Sequence, residues 1–382
     1  MKLSSCLLIV RWPQRVLGIS KISAFEFYKA LYPDLSNNQL LDRLKKQNEN
    51  LDEIITEHHR QLTCERDLAR ILRTLNIGCR IIKRTGDANK CIDWADLVVA
   101  IGGDGTFLLA SKLITNNMTP IFGINPHLET CTTFTLPLKS KSNIVQIFEK
   151  LRTGDYTLLM RSRIRTTMTG EGLYQSPFHI HEKSRARGER RIDALMRSTQ
   201  RKIADALQPR RRILPWLALN EVFMAEFYAS RPIALTVQID DSEINSTHSS
   251  GICVCTGSGS RSWFKTMNMQ SSKTIQMLVA MATGKQLDET KSEELLLKYH
   301  NNLHFPPEDL KMAYMIYELF HGARCSVKSV RERQMCSKVK IESGGFDAGL
   351  VLDGCVSLPF NDGSTATFEI HPEFALKNII LS

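Results

Sequence analysis

The stretch LVVAIGGDGTFLLA, residues 97–110, places one aspartate and three glycines between two apolar runs. The first run is aliphatic throughout, which is typical of a strand buried on both faces of a parallel sheet. The second run predicts a helix. Parallel sheets bind their ligands beyond the carboxyl ends of their strands. The stretch therefore predicts an α/β domain with a ligand site at its GGDGT turn.

The glycines of this turn predict a phosphate site. Gly102, Gly103 and Gly105 permit positive φ angles and let a ligand approach the backbone without meeting a Cβ. Thr106 is expected to cap the following helix, whose first N–H groups attract phosphate. We therefore expect these four residues to cradle the phosphates of a nucleotide.

Asp104 is the candidate catalytic residue. An acid beside a bound polyphosphate is costly unless it acts on a metal ion or on a proton. We expect its carboxylate to orient a hydroxyl that attacks the terminal phosphate, and to accept the hydroxyl proton late in the transfer. The alternative is a purely structural aspartate in a glycine-rich strand–helix turn.

The N-terminal part alternates between helix and strand patterns, whereas the part after residue 126 is mainly strand-like. Residues 39–75 have apolar residues at spacings of three and four and predict a helix. The N-terminal domain is expected to be Rossmann-like, with the active site in the cleft between two domains. The predicted organisation is a short targeting segment at 1–14, an α/β domain at 15–125 against which the tail 370–382 packs, and a mainly β domain at 126–369. This β domain is expected to carry an insertion near 183–212, which is a helix or a loop, and a helical insertion near 272–322.

The composition is typical of a soluble globular protein, with 42% hydrophobic and 24% charged residues in 382. No apolar run reaches the roughly 18 residues that a membrane span needs. The ten cysteines form no CxxC pair, which indicates a reducing compartment. His179 and His181 alternate on one strand, but no further ligand completes a zinc site, so we predict no protein-bound metal.

The net charge of +10 is concentrated in one segment. Residues 183–212 hold eleven Lys or Arg and three acids, a net +8. This distribution argues against a surface built for nucleic acid. We expect a solvated insertion there, with polyphosphate or RNA binding as the alternative.

The N-terminus has no acidic residue before Glu26 and contains Arg and Ser. Such a composition resembles an organelle targeting segment. The other interpretation is that RVLGISK forms a buried first strand.

Several stretches together resemble the NAD kinase family. GGDGT between a strand and a helix is shared by NAD kinases and their distant relatives, the diacylglycerol and sphingosine kinases and the phosphofructokinases. NAD kinases are indicated by ALNEVFMAE, by GICVCTGSGSRSWF in place of the family's TPTGSTAY, by PIFGIN, and by VLDG and FNDG. The animal mitochondrial-type branch is most similar, through HHRQLTCERDLARILRTLNI and WADLVVAIGGDGT.

The resemblance implies a fold of the NAD kinase and diacylglycerol kinase type. It also implies phosphorylation of NAD on the 2′-hydroxyl of its adenosine ribose, as a step of NADP biosynthesis. The implied donor is ATP, which brings Mg²⁺ with it, or inorganic polyphosphate. A homodimer in the mitochondrial matrix is implied as well.

The resemblance further implies which residues bind NAD. They are Asn220, Glu221, Thr256, Ser258, Gly259, Ser260, Ser262 and Trp263. A carboxylate can accept two ribose hydroxyls, an amide can pair with an adenine edge, and a loop of hydroxyls and glycines suits a diphosphate or a ribose. From the residues alone, a polar strand end and an ordinary Gly/Ser turn remain the alternatives. Asp353–Gly354 and Asp362–Gly363 are interpreted as hairpin turns without a chemical role.

Some positions depart from the family pattern. Gly257 and Arg261 replace a proline and a threonine of TPTGST, and Trp263 replaces a common tyrosine but keeps a flat face for stacking. Ser250 stands where many relatives have an aspartate. Two rival functions therefore stay open: a lipid kinase of the same superfamily, and a catalytically inactive NAD-binding or dimer scaffold. A lipid kinase would need a membrane-binding surface, and no basic amphipathic helix with apolar aromatics is evident.

Overall fold

The computed structural model describes residues 10–47, 50–83, 91–127, 133–138, 141–170, 173–174, 178–179, 208–320 and 332–381. The described residues of Met1–Met160 and Leu376–Ser382 form one compact unit, and those of Arg161–Ile180 and Glu189–Ala375 form a second. The chain therefore passes to the second unit after residue 160 instead of near 126. The expectation of an active site in a cleft between the domains stays a prediction.

The first unit is built on a seven-stranded sheet with the order β2-β1-β3-β4-β19-β6, in which β5 also pairs with β4. The pairs β1–β2, β1–β3, β3–β4, β4–β5 and β4–β19 are parallel. Within the predicted tail 370–382, β19 pairs with β4 of this sheet, whereas residues 370–375 belong to the second unit. The strands are β1 Arg15–Ser20, β2 Gly78–Ile82, β3 Leu97–Ile101, β4 Ile121–Asn125, β5 Thr135–Pro137, β6 Thr157–Arg161 and β19 Leu376–Ile380.

The helices of the first unit are α1 Ala24–Leu31, α2 Asn37–Lys46, α3 Leu51–Thr74, α4 Asp104–Leu113 and α5 Lys141–Thr153. The helix predicted over 39–75 is two helices, because the Asn50 side chain accepts the Glu53 N–H and starts α3. The sequence pattern missed α5. Its residues Ile144, Ile147, Phe148 and Leu151 recur at helical spacing and are buried in the core of this unit, which is why the unit extends beyond residue 126.

The second unit is a twelve-stranded sheet with the order β8-β17-β16-β10-β12-β11-β15-β18-β7-β9, and β13 pairs with β12 and β14. All of these recorded pairs are antiparallel. The fold class is therefore confirmed as an α/β unit followed by a mainly β unit. The strands are β7 Ile164–Thr169, β8 Phe178–His179, β9 Arg211–Ile213, β10 Glu221–Glu226, β11 Ile233–Ile239, β12 Asn245–Cys255, β13 Met312–Leu319, β14 Arg333–Cys336, β15 Lys338–Ser343, β16 Ala348–Leu352, β17 Val356–Pro359 and β18 Thr365–Ile370.

Only part of the second predicted insertion is helical. Its helices are α7 Ser272–Thr283 and α8 Glu289–Asn301, which follow the short helix α6 Trp263–Met267. Residues 312–319, within the predicted 272–322, form β13 instead, because their inward-facing apolar side chains pack against β12 in the core. Residues 183–207 of the basic insertion and residues 1–9 of the predicted targeting segment lie outside the described residues.

Candidate active site

The GGDGT turn follows a strand whose five residues are all buried. The chain turns at Gly102, and α4 begins at Asp104 with Gly103 as its N-cap. Thr106 therefore does not cap the helix as predicted. It lies within the first turn and its N–H donates to the Gly103 carbonyl at 2.9 Å. The cause is the early turn at Gly102, which starts helical conformation two residues before Thr106.

The three glycines of the turn differ in what they do. Gly102 has φ +150°, and a Cβ there would lie 2.5 Å from Thr106 Oγ1, so the fold itself requires this glycine. A Cβ at Gly103 or Gly105 would meet nothing within 4 Å. These two positions face open space next to the first N–H groups of α4, which have no acceptors inside a helix. That arrangement suits the approach of a phosphate.

Gly105→Ala tests whether this open space is used by the donor nucleotide. Alanine meets no atom there and restricts the unfolded chain, so we expect stability to stay equal or to rise by about 0.5–1 kcal/mol. If phosphate approaches the turn, the KM for ATP should rise by roughly tenfold or more while the KM for NAD⁺ stays unchanged. Steady-state kinetics and thermal unfolding check both expectations. An unchanged KM for ATP would place the phosphates elsewhere.

Asp104 is held by the chain segment that enters β5. Its carboxylate oxygens accept the N–H of Thr133 at 2.8 and 3.0 Å and the N–H of Phe134 at 3.0 Å. The Phe134 ring stacks on Phe107 of α4 with 5.1 Å between ring centroids. The carboxylate is therefore oriented at the start of α4, beside Gly103 and Gly105. Sequence alone does not show these partners, because they lie about thirty residues further along the chain.

Asn220 and Glu221, the predicted nucleoside-binding pair, lie at the start of β10 and are both buried. Asn220 Nδ2 donates to Ser262 Oγ at 3.1 Å. Its Oδ1 is buried and accepts no hydrogen bond from any described residue. A buried acceptor without a donor is costly, and the contact of Asn220 with NAD stays a prediction. The structure thus brings Asn220, Glu221 and Ser262 together.

The hydroxyls of the predicted NAD loop are used by the chain itself. Thr256 Oγ1 donates to the Leu219 carbonyl at 2.5 Å, and Ser260 Oγ donates to the Gly257 carbonyl at 2.7 Å. Ser258 Oγ accepts from Arg161 Nη1 at 3.0 Å. All three hydroxyl side chains are buried. These hydroxyls therefore shape the loop, and their contact with NAD stays a prediction.

Gly259 and Trp263 provide the other features of this loop. A Cβ at Gly259 would lie 2.0 Å from the Asn220 carbonyl oxygen, so the loop packs backbone against backbone on Asn220. Trp263 is 47% exposed, and its ring meets Phe223 edge-on at 6.3 Å between centroids. That leaves indole surface for an aromatic ligand. Ser250 Oγ donates to Glu318 Oε2 at 2.6 Å, so a carboxylate from β13 lies beside the position where relatives have an aspartate.

Asp353 and Arg161 support this region through contacts that sequence reasoning missed. Asp353 forms the predicted hairpin turn with Gly354, since both have positive φ and the Cys355 N–H donates to the Leu352 carbonyl. Its carboxylate also accepts the backbone N–H groups of Leu219, Asn220 and Glu221. Arg161 is buried and reaches Ser258. The available signal was a charged residue within a run of apolar strand residues, because a buried charge needs partners.

Within the described part of the chain, no three His, Cys, Asp or Glu side chains are grouped to hold a metal ion. None of the helices in that part has the length and apolar character required to span a bilayer.

Comparisons with known proteins identify the family of the chain. Residues 36–156 match the family described as ATP-NAD kinase N-terminal domain. The chain is 30% identical to NAD kinase 2, mitochondrial, of Rattus norvegicus over 97% of this chain and 88% of that protein. It is 29% identical to the Homo sapiens protein of the same name, over 97% and 84%. The crystal structure of yeast NADH kinase complexed with NADH matches with a TM-score of 0.51 and 13% identity. The match covers 97% of this chain and 84% of that one. At this identity, the similarity bears on the fold alone. The chain belongs to the NAD kinase family.

Proposed function

We propose that the protein transfers the terminal phosphate of ATP to the 2′-hydroxyl of the adenosine ribose of NAD⁺, which yields NADP⁺ and ADP. The observation that carries the proposal is the Asp104 carboxylate. This carboxylate lies at the start of α4, where it accepts the backbone N–H groups of Thr133 and Phe134. Two glycine positions beside it face open space. This geometry supports the proposal that Asp104 accepts a proton next to a turn that binds phosphate.

In the proposed reaction, the 2′-oxygen attacks the terminal phosphorus of ATP and the bond to the ADP oxygen breaks. The hydroxyl proton passes to an Asp104 carboxylate oxygen as the new P–O bond forms. The glycine turn and the N–H groups at the start of α4 bind phosphate oxygens. Asn220 and Glu221 bind the nucleoside, and Trp263 offers a ring face for stacking.

The described residues offer no cluster of side chains that would cage a metal ion. We propose that Mg²⁺ would be bound mainly by the phosphates of ATP, because this ion usually keeps few protein ligands at nucleotide sites. Such an ion would neutralise phosphate charge, whereas Asp104 has the proton-accepting role. Inorganic polyphosphate is the alternative donor, because a turn of backbone N–H groups contacts phosphate and not adenine.

The proposal extends to location and assembly. The rat and human relatives are named mitochondrial, and the present chain has no acid before Glu26. Together these observations support import into mitochondria and work in the matrix. We further propose a homodimer, as the family resemblance implies.

A panel of acceptors and donors tests the proposed function. Purified protein is incubated with Mg²⁺ and either γ-labelled ATP or labelled polyphosphate, together with NAD⁺, NADH, or diacylglycerol and sphingosine in liposomes. We expect label transfer to the dinucleotides and none to the lipids. Transfer to a lipid alone would establish the lipid kinase alternative. Absence of transfer to any acceptor, with NAD⁺ still bound in calorimetry, would favour an inactive scaffold.

A further inference from the structure

Asp353 makes an unusual set of contacts for a hairpin-turn residue. Its carboxylate accepts three consecutive backbone N–H groups: Leu219 at 2.9 Å, Asn220 at 2.7 Å and Glu221 at 3.0 Å. The Asp353 N–H in turn donates to the Glu221 carbonyl at 2.9 Å. One side chain therefore binds the backbone of the whole segment 219–221.

Three consecutive N–H groups do not converge in a regular strand, where successive groups point to opposite sides. Their convergence on one oxygen pair is the geometry of a backbone nest around an anion. Hydrogen bonds to a carboxylate are stronger than those to a neutral acceptor. The bend of the segment just before β10 therefore depends on the negative charge of Asp353, which lies buried against it.

A second set of contacts holds the same segment from the TGSGS loop. Thr256 N–H donates to the Asn220 carbonyl at 2.9 Å, and the Gly259 backbone packs on the Asn220 peptide. Arg163 is fully buried nearby. Burial lowers the pKa of Arg163 to about 9, and the negative charge of Asp353 acts in the opposite direction. Asp353 thus compensates a buried cation while it fixes the segment.

We propose that Asp353 is a positioning residue for NAD, because it sets the directions in which the side chains of Asn220 and Glu221 leave the backbone. The inference rests on the proposed function, since it assigns the pair to NAD. In this role Asp353 acts through the backbone N–H groups of residues 219–221. Loss of its charge should weaken NAD binding without affecting the phosphate donor.

The chain offers a matched control in Glu226, at the other end of β10. Glu226 is also buried, and its carboxylate accepts the N–H groups of Phe346 at 2.7 Å and Asp347 at 3.0 Å, just before β16. Asp353 and Glu226 therefore fix opposite ends of the β10–β16 pair by the same chemistry. The five residue steps from Glu221 to Glu226 separate the two ends by roughly 17 Å.

The test compares Asp353→Asn with Glu226→Gln in the full-length protein. Calorimetry measures NAD⁺ affinity, steady-state kinetics measure the KM for NAD⁺ and for ATP, and hydrogen exchange measures local backbone protection. For Asp353→Asn we expect roughly 10- to 100-fold weaker NAD⁺ binding, an unchanged KM for ATP, and faster exchange at residues 219–221. For Glu226→Gln we expect unchanged NAD⁺ binding and faster exchange at residues 346–347. Asp353→Glu keeps the negative charge on a longer side chain and should give an intermediate loss of NAD⁺ affinity. This variant replaces Asp353→Asn in the comparison if the asparagine variant does not fold.

The outcomes separate this inference from the proposed function. One outcome is that the wild-type protein makes NADP⁺ while the folded variants at position 353 bind NAD⁺ as tightly as the wild type does. That result would overturn the positioning role of Asp353 alone and leave the proposed function intact. Equal losses of NAD⁺ affinity in Asp353→Asn and Glu226→Gln would show that Asp353 has only a general structural role. That result would also overturn the positioning role. A wild-type protein that neither binds nor phosphorylates NAD⁺ would overturn the proposed function, and the NAD role of Asp353 with it.

Discussion

Asp104→Asn is expected to abolish nearly all NADP⁺ formation while NAD⁺ affinity stays within a few-fold of the wild type. Asparagine keeps one oxygen that can accept from Thr133 or Phe134, but it cannot take up the hydroxyl proton. General-base assistance of this kind contributes roughly 10²–10⁴-fold to the rate. The kcat for NADP⁺ formation and the calorimetric affinity for NAD⁺ are the two measurements.

Asp96 provides the matched control for Asp104. It lies at the opposite end of β3, where its carboxylate accepts the Gln14 N–H at 3.1 Å and pairs with Arg15 at 2.9 Å. Asp96→Asn removes a carboxylate that also accepts a backbone N–H, yet it should leave kcat unchanged. Near wild-type turnover in a folded Asp104→Asn protein would show that Asp104 is only structural.

Gly259→Ala has the second largest expected effect, on NAD⁺ binding. The new Cβ would lie 2.0 Å from the Asn220 carbonyl oxygen and 2.5 Å from its carbonyl carbon. Both are backbone atoms, so either the loop or the Asn220 segment must move. We expect NAD⁺ affinity to fall by about 100-fold and the free energy of unfolding by about 1–3 kcal/mol.

Gly349→Ala is the control for this substitution. Gly349 lies in β16, and a Cβ there would make only an ordinary contact at 3.5 Å with Ser357 Oγ. We expect NAD⁺ affinity to stay unchanged in this variant. If Gly259→Ala binds NAD⁺ like the wild type, the packing of the loop on Asn220 does not determine the site.

The sequence predicted the parts of the site that depend on local pattern. The buried strand, the turn at Gly102 and the position of Asp104 beyond the strand all follow from one stretch of residues. The hairpin turn at Asp353–Gly354 was predicted for the same reason, because two consecutive residues favour positive φ. Local residue types determine these features, so neighbours in sequence are enough to predict them.

The features that the sequence did not predict depend on distant partners. The contacts of Asp104 with residues 133–134, and of Asp353 with residues 219–221, join parts of the chain far apart in sequence. The hydroxyls of Thr256, Ser258 and Ser260 show the same limit. Residue type shows that the loop contains hydroxyls, but only the folded chain shows that they bind Leu219, Arg161 and Gly257.

Fold boundaries were missed for a related reason. The strand patterns that dominate after residue 126 led the sequence analysis to miss α5, although its buried apolar residues recur at helical spacing. The apolar residues of β13 resembled a continuation of the preceding helices until their pairing with β12 placed them in the sheet. For β13, tertiary packing decided between helix and strand.

The most direct test of the account is NADP⁺ formation by the purified wild-type protein with NAD⁺ and Mg²⁺-ATP, read out by an NADP-specific dehydrogenase. The account predicts that NADP⁺ accumulates at a steady rate and that the phosphate is on the 2′-oxygen of the adenosine ribose. NAD⁺ that binds in calorimetry but yields no NADP⁺ with either ATP or polyphosphate would contradict it.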